Sequence, residues 1–101
     1  MLFGLSEKVI KSISSVLLQE KRIEKVLIYG SRAKGTFREG SDIDLTIIAT
    51  GMNDSDLLPL KRSLNDLSIP YRIDLSLYDE IGNEELKDHI VRVGKEFPLR
   101  Q

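Results

Sequence analysis

The sequence predicts an α/β (α+β) domain with one three-stranded sheet and helices between the strands. Two segments, 42–49 and 71–77, alternate apolar and polar residues, as half-buried strands do. Three others, 6–20, 57–67 and 83–94, repeat apolar residues every three or four positions, as amphipathic helices do. A length of 101 residues with 41% hydrophobic and 31% charged residues fits a single globular domain over 1–101.

The first half of the chain predicts a helix, a strand and one helical turn. The helix runs from Ser6, a suitable cap, to about residue 20. The short apolar segment 25–29 is stopped by Gly30, which predicts a buried strand. Residues 31–35 then predict one helical turn that ends at a glycine.

The second half predicts two strands, each followed by a helix. Segment 42–49 is the first of these strands, and the helix 57–67 after it has Pro59 near its start, where proline is tolerated. Segment 71–77 is the second strand, and Asn83 caps a last helix that Gly94 ends. The predicted order is therefore α-β-α-β-α-β-α.

Composition excludes several classes of function. Fifteen Lys and Arg against sixteen Asp and Glu give a net charge of −1, which predicts no direct nucleic-acid binding and no attraction to anionic membranes. The absence of cysteine excludes disulfides and thiolate chemistry. No apolar run has the length of a membrane span and no signal peptide is visible, so we expect a cytoplasmic protein without a membrane partner.

Three aspartates are candidates for a metal site. Asp42 and Asp44 lie two residues apart and project to one side of their strand, and Asp74 has the same relation to the next strand. If the two strands are neighbours, the three carboxylates converge, and repulsion between them favours a cation. Ligands rich in oxygen and without histidine or sulfur suit Mg²⁺ or Mn²⁺.

A candidate phosphate site precedes these aspartates. The first strand ends at Gly30-Ser31, where a glycine permits close approach of a ligand and the start of a helix offers free amide donors. Phosphates at one edge and carboxylates at the other are typical of phosphoryl or nucleotidyl transfer.

The arrangement of these residues resembles a known family. Gly30-Ser31, ten further residues, Asp42-Ile43-Asp44 and a later strand with Asp74 are similar to the nucleotidyltransferase superfamily that includes DNA polymerase beta. Segments 29–35 (YGSRAKG) and 40–45 (GSDIDL) resemble its minimal branch, small prokaryotic antitoxins paired with HEPN-domain toxins. The resemblance implies a nucleotidyltransferase fold with a mixed sheet, whose first strand runs antiparallel to the other two.

The resemblance also implies a role for each site residue. Gly30 and Ser31 would hold the triphosphate of ATP, and Arg32, like Lys34, would add positive charge there. The metal ligands would be Asp42, Asp44 and Asp74, around two Mg²⁺ ions, with Mn²⁺ as a substitute; Asp74 would also accept the acceptor's proton. AMP would pass to a hydroxyl, on a HEPN-type partner, in a hetero-oligomer or a homodimer.

Other interpretations of the same residues remain open. The aspartates can form a solvated sheet face paired with Arg32, Arg38 or Arg72. The domain can also be a weakly active nucleotide-binding subunit that regulates a helical partner by contact, or a scaffold without nucleotide chemistry. The sole histidine, His89, is better explained as a packing or surface residue than as a catalyst.

Overall fold

The computed structural model describes residues 1–100 and contains four helices and four strands. The helices are α1 (Glu7–Leu17), α2 (Ser31–Lys34), α3 (Leu57–Asn65) and α4 (Glu84–Val93). The strands are β1 (Ile23–Tyr29), β2 (Ile43–Ala49), β3 (Ile73–Leu77) and β4 (Lys95–Glu96). Two short 3-10 turns, Asp54–Asp56 and Tyr78–Glu80, precede α3 and follow β3.

The strands form one mixed sheet in the order β3-β2-β1-β4. Strand β1 runs antiparallel to β2 and to β4, whereas β2 and β3 are parallel. The predicted orientation of the first strand relative to the next two is therefore confirmed. The parallel pair is joined through α3, as parallel neighbours require a crossover.

The predicted number of strands is wrong by one. Strand β4 pairs with Leu27 and Ile28 of β1, and the Phe97 N–H donates to the Val26 carbonyl oxygen at 2.7 Å. Sequence patterning misses β4 because it consists of two exposed, charged residues. Short, charged strands are typical of sheet edges, where they prevent pairing with other chains.

The helix ends follow local rules that the sequence displays. The Ser6 hydroxyl accepts the Val9 N–H at 3.2 Å, and Asn83 Oδ1 accepts the Leu86 N–H at 3.1 Å, so both predicted caps are confirmed. Pro59 is the third residue of α3, inside the first turn. Helix α1 ends at Leu17, before the predicted end. None of the helices within residues 1–100 is both long and apolar enough for a membrane span.

The two faces of the sheet differ in character. One face packs with α1 and α3 into the main core, to which the three long strands contribute the buried residues Val26, Ile28, Ile43, Leu45, Ile47, Leu75 and Leu77. The opposite face carries the polar side chains of β2 and β3. Helix α4 covers part of that face at β1, where its buried Ile90 and its His89 lie. Away from α4, this face is exposed at Asp74 and half-buried at Asp44 and Ser76, whereas Thr46 is fully buried.

Candidate active site

A row of three residues crosses the open face of the sheet. Tyr29 on β1 pairs in register with Asp44 on β2, which pairs in register with Asp74 on β3. Residues directly opposite one another in neighbouring strands project to the same face. The strand order therefore brings Asp44 and Asp74 together. Asp42 lies immediately before β2 and is exposed, like Asp74.

The turn at Gly30 lies directly beside the Asp44 carboxylate. Gly30 has a φ of +73°, in the region that favours glycine, and a Cβ at this position would lie 2.5 Å from Asp44 Oδ2. From the sequence we interpret this glycine as allowing close approach of a ligand. The structure shows that the Asp44 side chain leaves no room for a Cβ at this position. Ser31, the next residue, begins α2 and is half-buried. The candidate phosphate turn and the carboxylates thus form one continuous site.

The carboxylates interact electrostatically. The pKa of Asp44 is raised above its usual 3.8, first by partial burial, then by the negative charges of Asp74 and Asp42. The electrostatic interaction of Asp44 with His89 opposes this rise. Asp44 is thus close enough to both other aspartates for their charges to disfavour its ionised form.

An aromatic pair borders the carboxylates. The rings of Tyr29 and His89 meet edge to face, with centroids 6.2 Å apart and an interplanar angle of 80°. Burial and the charge of Asp74 raise the pKa of the Tyr29 hydroxyl, against the effect of the Ser76 hydroxyl. His89 thus packs against the wall of the site, and sequence analysis left it outside the candidate residues.

Two hydroxyl residues on the face of the aspartates are not among the site residues named from the sequence. Thr46 follows Asp44 by two positions and Ser76 follows Asp74 by two, so both share the face of the aspartates. The Ser76 hydroxyl donates to Thr46 Oγ1 at 3.0 Å. The signal that could have found them is this period of two, which gives Asp-x-Thr on one strand and Asp-x-Ser on the next.

The side chain of Arg32 lies elsewhere than the sequence interpretation expected. Arg32 is 3% exposed, and its guanidinium donates to the carbonyl oxygens of Ser41 and Phe3. A guanidinium bonded in this way is not free to bind a triphosphate. Lys34 is exposed at the end of α2, where its assignment to the phosphates stays a prediction.

The aspartates are not neutralised by ion pairs. The ion pairs over residues 1–100 join Arg22 to Glu20 and Asp56, Arg92 to Asp88, and Arg100 to Glu7. None of these pairs involves Asp42, Asp44 or Asp74. Within residues 1–100, the aspartates therefore do not form the ion pairs with arginine that the alternative interpretation expects. Residues 1–100 contain no preformed group of three or more His, Cys, Asp or Glu side chains that could hold a metal ion.

Solved structures with the same fold include toxin–antitoxin complexes. A toxin–antitoxin structure with AMP-PNP matches with 21% identity and a TM-score of 0.72, over 91% of this chain and 74% of that chain. The complex of tri-AMPylated Shewanella oneidensis HEPN toxin with MNT antitoxin matches with 17% identity and a TM-score of 0.69, over 96% and 75%. The MntA–HepT complex matches with 17% identity and a TM-score of 0.68, over 95% and 74%. Among curated proteins, no sequence is significantly similar.

These matches and the site geometry define a domain with the nucleotidyltransferase fold. Residues 11–100 match the family described as "Polymerase beta, Nucleotidyltransferase". The chain belongs to this family, and the solved structures similar to it include a complex that contains an MNT antitoxin.

Proposed function

We propose that this chain is a metal-dependent nucleotidyltransferase that moves AMP from ATP to a hydroxyl on a HEPN-type partner protein. The observation that carries the proposal is the register of Asp44 with Asp74 on one open sheet face, beside the Gly30 turn. Family membership supports the transferase class. The choice of AMP and of the partner is supported by fold neighbours with AMP-PNP and with an AMPylated HEPN toxin.

The metal site we propose consists of Asp42, Asp44 and Asp74. These residues fit a divalent cation because they offer only oxygen donors, as Mg²⁺ and Mn²⁺ prefer, and because partial burial and the negative charges of Asp74 and Asp42 raise the pKa of Asp44. When bound, the cations supply charge neutralisation at the phosphates and activation of the attacking hydroxyl.

The remaining chemistry belongs to the chain itself. In our proposal the amides of the Gly30–Ser31 turn and the Ser31 hydroxyl bind the triphosphate. The acceptor hydroxyl oxygen forms a bond to the α-phosphorus, the bond from that phosphorus to the bridging oxygen of the β-phosphate breaks, and pyrophosphate leaves. Asp74, exposed at the rim of the site, accepts the proton of the acceptor.

An acceptor on another protein suits the openness of this site. Asp42 and Asp74 are exposed, and β3 is an edge strand, so a second protein can approach the carboxylates from the side. The fold neighbours include antitoxins bound to HEPN toxins, which supports a HEPN-type partner and a hetero-oligomer. The number of copies of this chain in the complex is measured together with the transfer assay below.

The test is a transfer assay with three components. The purified chain is incubated with ATP labelled at the α-phosphate, Mg²⁺ and the product of the neighbouring gene, and the label on that protein is measured. We expect transfer that requires Mg²⁺ and is lost in Asp44→Asn. The matched control is Asp66→Asn, which removes one exposed carboxylate at the end of α3 and should transfer normally.

Two outcomes would reject the proposal. No transfer to the partner, in the presence of a complex between the two proteins, would favour a subunit that acts by contact alone. Equal transfer by Asp44→Asn and by the unmodified chain would place the chemistry outside this site. Mass spectrometry of the labelled partner identifies the modified hydroxyl, and size-exclusion chromatography with light scattering gives the stoichiometry.

A further inference from the structure

Arg32 carries a buried positive charge whose partners are backbone carbonyl groups. Its Nε and Nη2 donate to the Ser41 carbonyl oxygen at 3.1 Å and 2.9 Å, and its Nη1 donates to the Phe3 carbonyl oxygen at 2.8 Å. A buried charge is costly unless it is hydrogen-bonded, and these three bonds satisfy it. The two bonds to Ser41 come from one edge of the guanidinium and converge on a single peptide oxygen.

Two aromatic rings lie against this guanidinium. The Arg32 Cζ atom lies 5.1 Å from the centroid of Phe37 and 4.8 Å from that of Tyr71. Both distances lie within the range of cation–π contacts. Phe37 belongs to the loop between α2 and β2, and Tyr71 lies shortly before β3. The guanidinium therefore has no freedom to turn toward a nucleotide.

The segments that meet at Arg32 are those that carry the active-site residues. Arg32 is the second residue of α2, next to the Gly30–Ser31 turn. Ser41 immediately precedes Asp42 in the sequence, so holding the Ser41 carbonyl oxygen holds the peptide that leads into Asp42. This loop is otherwise joined by local contacts, in which the Ser41 N–H donates to the Arg38 carbonyl oxygen at 3.0 Å and the Arg38 N–H to Ser41 Oγ at 2.8 Å.

We propose that Arg32 is a positioning residue that fixes the Ser41–Asp42 peptide, and so holds the Asp42 carboxylate at a set distance from the phosphate-binding turn. This inference rests on the proposed function in one respect, namely that Asp42 binds a metal ion. It assigns Arg32 no contact with the nucleotide. Lysine cannot replace arginine here, since its single ammonium group lacks the planar fork of donors that bonds the Ser41 and Phe3 carbonyl oxygens in this geometry.

The test compares Arg32→Lys with Arg38→Lys, the same change at an exposed arginine of the same loop. The first measurement is amide hydrogen exchange by NMR, without metal or nucleotide. In Arg32→Lys we expect the Ser41 amide to exchange about tenfold faster, relative to the Leu45 amide within β2, because hydrogen bonds from a charged donor are among the stronger ones. Arg38→Lys should leave this ratio unchanged.

The second measurement is the Mg²⁺ dependence of AMP transfer. For Arg32→Lys we expect about a tenfold higher Mg²⁺ concentration at half-maximal rate, with kcat at saturating Mg²⁺ and the KM for ATP nearly unchanged. If the unmodified chain transfers no AMP, the proposed function fails, and the exchange measurement still decides whether Arg32 orders the Ser41–Asp42 peptide.

Two results would overturn the inference. One is an unchanged exchange ratio at Ser41 in a folded Arg32→Lys variant. The other is a raised KM for ATP with an unchanged Mg²⁺ dependence, which would mean that Arg32 binds the nucleotide. Should Arg32→Lys fail to fold, Phe37→Leu provides the test, because it removes one stacking ring and keeps the hydrogen bonds. Phe37→Leu should accelerate exchange of the Ser41 amide and not of the Leu45 amide. The same Ser41 exchange rate in Phe37→Leu and in the unmodified chain would reject the proposal.

Discussion

Asp44 and Asp74 are directly opposite each other on the parallel strands β2 and β3, so two carboxylates lie side by side on an open sheet face. Like charges directly opposite on neighbouring strands are destabilising. No ion pair within residues 1–100 offsets the repulsion, and it contributes to the raised pKa of Asp44. A local conflict of this kind in an otherwise consistent fold is typical of a functional site.

Replacement of Asp44 by asparagine should stabilise the chain in the absence of divalent cations. The folded state raises the pKa of Asp44 above 3.8, so the free energy of unfolding falls as the pH rises from about that value through the raised pKa, and at pH 7 ionised Asp44 is destabilising. Asp44→Asn removes this effect. Because Asp44 is only half-buried and solvent screens its charge, we expect Tm at pH 7 in EDTA to rise by roughly 2–4 °C.

The pH dependence separates this explanation from a general effect of the substitution. The difference in Tm between Asp44→Asn and the unmodified chain should shrink as the pH falls below the raised pKa, where Asp44 is protonated in the folded state. Asp66→Asn serves as the control at an exposed position. A lower Tm for Asp44→Asn at pH 7 would contradict the prediction.

Mg²⁺ together with a non-hydrolysable ATP analogue should stabilise the unmodified chain more than variants that lack the carboxylates. A ligand at a hundred times its Kd stabilises the folded state by roughly 2.7 kcal/mol, which in a domain of this size corresponds to a Tm increase of roughly 10–20 °C. We expect the increase in the unmodified chain and in Asp66→Asn. The double variant Asp42→Asn plus Asp44→Asn should show none, and an equal increase in that variant would mean that the ligand binds elsewhere.

Features of the fold that depend on neighbours in sequence could be predicted. The caps Ser6 and Asn83, the glycine at the end of β1 and the alternation in β2 and β3 are local patterns, and each appears in the structure where the sequence indicates it. The shared face of Asp42 and Asp44 follows from the geometry of any strand in the same way.

Features that depend on distant contacts could not be predicted from patterns. Strand β4 forms because α4 returns the chain to β1, and its sequence Lys95–Glu96 carries no apolar signal. The proximity of Asp74 to Asp44 depends on strand order, which the family resemblance supplied. The direction of the Arg32 side chain depends on Phe3 and Tyr71, far away in the sequence, so a cation next to a phosphate turn was interpreted as a phosphate ligand.

The contribution of the chain's last segment to stability can be measured at Phe97. Its side chain is 1% exposed in the main core, and β4 holds it there through pairing with β1. Phe97→Ala should lower the free energy of unfolding by about 3–5 kcal/mol, a large part of the roughly 5–15 kcal/mol of a typical domain. Val91→Ala, at a side chain 70% exposed on α4, should change it by less than about 0.5 kcal/mol. Urea unfolding measures both, and equal effects would mean that Phe97 is not part of the core.

The contact between Gly30 and Asp44 can be tested with a pair of glycine substitutions. Gly30 and Gly51 have similar positive φ angles, +73° and +80°, so alanine at either costs roughly 1–2 kcal/mol in backbone conformation. Only at Gly30 would the new Cβ meet another group, the Asp44 carboxylate at 2.5 Å, whereas no atom lies within 4 Å of a Cβ at Gly51.

The comparison therefore separates the backbone cost of alanine, common to both positions, from the effect of a new Cβ at the proposed site, where it meets Asp44 and lies in the phosphate-binding turn. Gly30→Ala should lower AMP transfer by about 100-fold, since a displacement of about 1 Å in a reacting group has an effect of that size. Gly51→Ala should lose stability only through the cost of placing alanine at a positive φ. It should transfer AMP at the normal rate below its Tm. Transfer rates and urea unfolding of both variants provide the measurement. Normal transfer by a folded Gly30→Ala would mean that Asp44 need not lie against this turn for the reaction.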